Sequence, residues 1–147
     1  MTIIRPVSLT LAMNIGVIGM VAIFAYCLYS AFWPFRVLEP QIQPYRILTP
    51  VVAPGQPVIY EANFCKYTQA PALVTRGLYG ENGSFVSLPT VSTNLPSGCH
   101  VVQSATTVVP TTATPGRYTI ELTLTYHVNA LRDITIKVKT DTFTVTR

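Results

Sequence analysis

"RYTIELTLTYHV", Arg117 to Val128, alternates along its whole length. Tyr118, Ile120, Leu122, Leu124, Tyr126 and Val128 hold one parity; Thr119, Glu121, Thr123, Thr125 and His127 hold the other. Successive side chains of a strand point to opposite faces, so this pattern is a half-buried β-strand, apolar side inward. The neighbouring text agrees. "PVIYEANFC" (57–65) places Val58, Tyr60, Ala62 and Phe64 on one face and Glu61 and Asn63 on the other. "DITIKVKTDTFTV" (133–145) begins with Ile134, Ile136 and Val138, then changes parity to Phe143 and Val145. A one-residue slip moves every side chain to the other face, so the switch predicts a bulge or bend near Thr140–Asp141.

Further strands read as "ALVTRGLY" (72–79), "SFVSLPTV" (84–91) and "HVVQSATTVV" (100–109). Turn signals separate them at Pro54-Gly55, Gly80-Glu81-Asn82-Gly83, Pro96-Ser97-Gly98 and Pro115-Gly116. Short strands at this spacing predict an all-β fold, an immunoglobulin-like antiparallel β-sandwich over residues 49–147. In "PGRYTIEL", Tyr118 follows a turn at the start of a long late strand, the position of the tyrosine corner of such sandwiches. The antibody pattern is absent: the only Trp is Trp33, far from the strands, and the late strand has no Cys.

Upstream lies a different kind of sequence. No charged residue occurs between Arg5 and Arg36, an interval of thirty positions. A bilayer core about 30 Å thick needs roughly 20 apolar residues of helix to cross it. An all-round apolar helix has no face for water, and the rest of the chain is too small to bury one. The run exceeds a secretory h-region, and "CLYSAFW" is a poor cleavage site because Tyr29 and Phe32 flank Ser30 and Ala31. The reading is a short leader at 1–6 and an uncleaved transmembrane helix at 7–33. Tyr26, Tyr29, Phe32, Trp33 and Phe35 cluster at its exit, as aromatic residues do at a membrane interface. Arg5 before the span, the weak offset of Arg36 by Glu39, and cysteines beyond the span together give an N-in orientation. The β-domain is then periplasmic or extracellular. Ala12 and Gly16 form a small-residue pair around Asn14, which reads either as ordinary membrane-helix composition or as a homo-oligomer contact through the helix.

Between the two parts, six of the twelve prolines fall from Pro34 to Pro57. Residues 34–48 read as a Pro-rich stalk, or equally as an irregular edge strand packed on the domain. Of three cysteines, Cys27 lies in the span; Cys65 and Cys99 are the pair beyond it and are expected to form a disulfide in an oxidising compartment. The rival is a metal site with His100. Two histidines without CxxC or HxxxH spacing do not make one, so neither metal nor cofactor is expected.

The chemistry is sparse. Thr125, His127 and Asp133 could be arranged as nucleophile, base and orienting acid, but a solvated strand face gives no pocket. After the span, nine Lys/Arg face six Asp/Glu. Lys137 and Lys139, with Arg132 before them, read first as protection of an edge strand. Arg36, Arg46, Arg76 and Arg117 read as scattered surface charge, and nucleic acid is not expected because no aromatic residues interleave the basic ones.

The order "FWPF", proline segment, "CKYT", "PSGCH" and "TPGRYTIELTLTYHVNALRDITIKVKTDTF" resembles small single-pass membrane proteins among phage-encoded and other uncharacterised bacterial sequences. That resemblance implies no activity and no functional residue. The sequence therefore supports a non-enzymatic module tethered to the lipid bilayer, meeting an unidentified protein partner or envelope surface. The alternative is a structural subunit of a membrane or virion assembly.

Overall fold

The computed structural model describes residues 9–147, with side chains from Met13 onward. Arg5, the leader at 1–6 and the side chain of Ala12 lie outside the described residues. Two compact units are resolved, one ending at Phe35 and the other running from Arg36 to Arg147.

The first unit is helix α1, Leu9–Phe32. It carries no charged residue, and from Met13 onward its large apolar side chains are exposed, among them Ile18, Met20, Phe24 and Phe32. It is long and apolar enough to cross a membrane.

The second unit is a two-sheet β-structure. Its strands are β1 (Leu38–Pro40), β2 (Arg46–Ile47), β3 (Val51–Val52), β4 (Pro57–Lys66), β5 (Ala72–Gly80), β6 (Phe85–Thr93), β7 (Gly98–Val108), β8 (Gly116–Asn129), β9 (Arg132–Lys139) and β10 (Phe143–Val145). In the first sheet β4 is central, with β7 along one edge and the short β1 and β2 sharing the other. In the second, β6, β5 and β8 run in order; β9 and then β10 continue along the far edge of β8, and β3 joins β10 in parallel. All other pairings between these strands are antiparallel. This is the connectivity of an immunoglobulin-like sandwich, in which four early and middle strands face a sheet built around the long late strand.

The alternating residues do what their parity requires. Val58, Tyr60, Ala62 and Phe64 from β4 meet Tyr118, Ile120, Leu122 and Tyr126 from β8 in one buried core. The parity switch is a real interruption. Lys139 pairs with Glu121, whereas Phe143 pairs with Tyr118, so one extra residue is accommodated between β9 and β10. Thr140 turns inward there: its backbone N–H donates to Ile120 O, and its Oγ1 accepts the Ile120 N–H at 3.1 Å.

The stalk reading of 34–48 is corrected. Val37, Leu38 and Tyr45 are buried in the core, and β1 and β2 pair with β4. The prolines do not prevent this, because an edge strand needs donors on only one side. The domain therefore begins near Arg36 instead of residue 49.

Candidate functional site

The two long sides of the sandwich are built differently. On one side backbone bonds close the gap between the sheets. Tyr45 N–H donates to Lys139 O at 2.9 Å, and Asp141 N–H donates to Tyr45 O at 2.8 Å. On the other side β6 and β7 each have one strand partner, and their outer edges are unpaired among the described residues.

That open side is made almost wholly by one stretch of sequence. From Asn82 to Gly116 there is no Asp, Glu, Lys or Arg. The run supplies β6, the connection Asn94–Ser97 and β7. Interface cores are depleted of charged residues, and this flank shares that one feature. Val91, Leu95, Val101 and Val108 are exposed along it.

Two cations reach this flank from the interior, and sequence reading missed both. Arg76 on β5 shares the inward parity of Ala72, Val74 and Leu78. Its Nη1 donates to Thr107 Oγ1 on β7 (3.4 Å) and its Nη2 to Pro89 O on β6 (3.1 Å), so one guanidinium ties the two edge strands together. Its Nε is buried without a hydrogen-bond partner. Lys66, at the end of β4, has the inward parity of Tyr60 and Phe64 and is buried. Its Nζ donates to Leu95 O at 2.5 Å and lies 5.9 Å from the centre of the Tyr126 ring. Burial holds its pKa below the usual lysine value. Strand parity was the signal that could have found both residues.

Lys66, Gln69 and His100 together fix the β6–β7 connection. Gln69 Nε2 donates to Ser97 Oγ at 2.6 Å, and His100 Nε2 is 2.9 Å from Pro96 O. Leu95, so held, lines an apolar cavity of about 220 Å³ between the sheets, with Tyr60, Phe64, Val74, Val102 and Leu122 among its walls.

Cys65 and Cys99 are disulfide-bonded across a residue pair of β4 and β7, with an S–S distance of 1.96 Å. The bridge joins neighbouring strands within one sheet, unlike the inter-sheet disulfide of antibody domains. Cys27 is a free thiol in α1. The five aromatic residues stand at the end of α1 and just after it. Tyr26, Tyr29, Phe32 and Trp33 are exposed, Phe35 is half-buried, and the Tyr29 and Trp33 rings lie 4.8 Å apart one helical turn from each other.

The conceivable catalytic trio is not assembled. His127 Nδ1 does lie 2.6 Å from Asp133 Oδ1, but the side chains are 72% and 58% exposed. Thr125 Oγ1 bonds Thr135 Oγ1 instead of the imidazole. Lys137 and Lys139 both pair with Glu121, at 3.7 and 3.3 Å. No group of three or more His, Cys, Asp and Glu positioned to hold a metal occurs among the described residues.

No protein-family model and no curated protein matches the sequence. Solved structures that are similar in part include the following two. One is the Pseudomonas fluorescens alkylpurine DNA glycosylase AlkC bound to DNA containing an abasic site analog: 12% identity, 75% of this chain, TM-score 0.40. The chain spans 30% of that protein's length. The other is the CARDB domain of the PF1109 protein from Pyrococcus furiosus in complex with di-metal ions: 17% identity, 77% of this chain and 95% of that one, TM-score 0.29. Neither likeness bears on what this chain binds.

Proposed function

We propose that the chain is a non-enzymatic binding module, tethered to a membrane by α1 and displaying its immunoglobulin-like domain on the periplasmic or extracellular side. The observation that carries this reading is α1 itself: 24 residues without a charge, whose large apolar side chains from Met13 to Phe32 are exposed. In water such a surface is strongly unfavourable; in lipid it is the solvated state. Tyr26, Tyr29, Phe32, Trp33 and Phe35 then mark the exit interface. The Cys65–Cys99 disulfide supports an oxidising compartment for the domain, hence N-in. The open placement of His127 and Asp133 supports binding over catalysis.

The alternative role, a structural subunit of a membrane or virion assembly, draws support from the uncharged flank, which suits permanent burial. Fixed-stoichiometry co-purification would favour that role.

Alkaline extraction and protease protection test the tether. The full-length mass should stay with the membrane, and protease added outside should reach the β-domain. A soluble mature form starting near Ala31 or Phe32 overturns the proposal.

A further inference from the structure

We infer that the free edge of β7 pairs antiparallel with β7 of a second copy of this chain, about a two-fold axis at the Gln103–Ser104 bulge. The inference deepens the tethered-module reading and rests on it.

Among the described residues the domain has three long strand edges, those of β6, β7 and β9. β9 places Arg132, Asp133, Lys137 and Lys139 in eight residues. β6 carries Pro89 in a bulge opposite Thr75. Charge and proline are the usual means of blocking edge-to-edge pairing. β7 has eleven residues with neither. Its one irregularity is a bulge, in which Gln103 and Ser104 together oppose Glu61.

The bulge decides the partner. On β4, Asn63 O accepts from Gln41 N–H, and Ile59 O accepts from Leu48 N–H, both on the side away from β7. Asn63–Val101 and Ile59–Thr106 are therefore the pairs of the β4–β7 ladder that exchange no hydrogen bonds. The N–H and C=O groups of Val101 and Thr106 then point to the free edge. By alternation those of Cys99 and Val108 do the same. These four positions are symmetric about the midpoint of Gln103 and Ser104. An antiparallel copy centred there sets Val101 against Thr106 and Cys99 against Val108, so that outward groups meet outward groups on both sides of the bulge. A strand without a matching bulge fits one half of the edge and loses register in the other. The pairing also covers Val101 and Val108, which are 57% and 56% exposed. Two-fold symmetry puts the same patch on both copies, and an uncharged patch places no charge beside its own image. Copies held in one bilayer in one orientation meet at high effective concentration.

The test uses the full chain, labelled with donor and acceptor fluorophores, in phosphatidylcholine vesicles at a series of protein-to-lipid ratios. Wild type should show self-association. Thr106→Pro removes one outward N–H and leaves the β4 ladder intact. Because the site is isologous, it deletes a bond from each copy, and association should weaken at least about tenfold. Thr106→Val keeps the N–H and should associate as wild type does. Val108→Lys sets a charge in each copy's flank and should act in the same direction as proline, which covers the case of a proline variant that fails to fold. A chain that is monomeric throughout the range overturns the inference. So does association unchanged by Thr106→Pro and Val108→Lys, since the contact would then lie in α1 or elsewhere. Recovery of the chain outside the membrane fraction would defeat the tether itself, a separate result from a monomer within the bilayer.

Discussion

Tyr118 is almost wholly buried at the start of β8, and its hydroxyl reaches back over the preceding turn. Oη donates to Thr114 O at 2.9 Å, with Thr114 Oγ1 at 3.0 Å and Ser84 Oγ at 3.4 Å. This tyrosine corner was legible in "PGRYTIEL", because a turn followed at once by an inward Tyr leaves the hydroxyl few other partners. Tyr118→Phe keeps the ring packed against Phe143 but leaves Thr114 O short of a donor. It should cost about 1–2 kcal/mol in urea unfolding, with little change in slope. Glycine has a specific use close by. Gly83, at φ 81°, closes the β5–β6 hairpin, where Gly80 N–H donates to Ser84 O and Gly83 N–H to Gly80 O. An L side chain disfavours that conformation, so Gly83→Ala should lower stability by about 1 kcal/mol in the same measurement. Lys66 and Arg76 were less legible, because charge is ordinarily read as surface. Their parity with Phe64 and Val74 pointed inward, and the folded chain follows parity, with backbone and hydroxyl acceptors waiting at Leu95, Pro89 and Thr107.

At the scale of strands, the β9–β10 break shows what a period-two pattern can and cannot reveal. The change from Val138 to Phe143 required an odd number of extra residues, and that much was readable. That Thr140 would fill the gap by lending Oγ1 to the Ile120 N–H depends on the partner strand, which the local sequence does not contain. Thr140→Val removes that acceptor and should cost about 1–2 kcal/mol, checked by thermal unfolding. The segment from Pro34 to Pro57 was ambiguous for a related reason. Proline forbids a central strand but permits an edge, and whether an edge is offered depends on β4, many residues away. The disulfide belongs to this scale too. It closes a separation of 34 residues between strands that are already paired. Cys65→Ala and Cys99→Ala should each destabilise by roughly 2–5 kcal/mol, and the double variant by about as much as either, because one bond is lost in every case. Additive losses would mean that each side chain packs independently of the bridge.

For the molecule as a whole, the side built from the charge-free run, with its two free edges, and the backbone-bonded side around Tyr45 enclose an interior rich in tyrosine. Tyr45, Tyr60 and Tyr126 are all buried. Burial pushes the Tyr45 hydroxyl up to about 12, reinforced by Tyr60 and Tyr126 nearby, and burial likewise pushes Tyr126 up to about 12. Tyr60 is also raised by burial, with Thr107 and Arg76 pulling the other way. In the unfolded chain these groups ionise near pH 10. Between about pH 10 and pH 12 the folded state keeps protons that the unfolded state has lost, so stability falls as pH rises through that window. Below pH 10 the contribution is fully present. Lys66 has the opposite sign: its lowered folded pKa makes stability rise with pH, in a window that closes near the ordinary lysine value of 10.5. Measurements above about pH 10.5 therefore isolate the tyrosines. The melting temperature of the β-domain, followed in the full chain by circular dichroism at β-sheet wavelengths, should drop steadily from there. Tyr45→Phe with Tyr126→Phe keeps both rings and removes both ionisable hydroxyls, so it should flatten the decline and leave the value at neutral pH nearly unchanged. A wild-type melting temperature that stays level up to about pH 11.5 would mean that the hydroxyls reach water and that the interior is looser than its packing indicates.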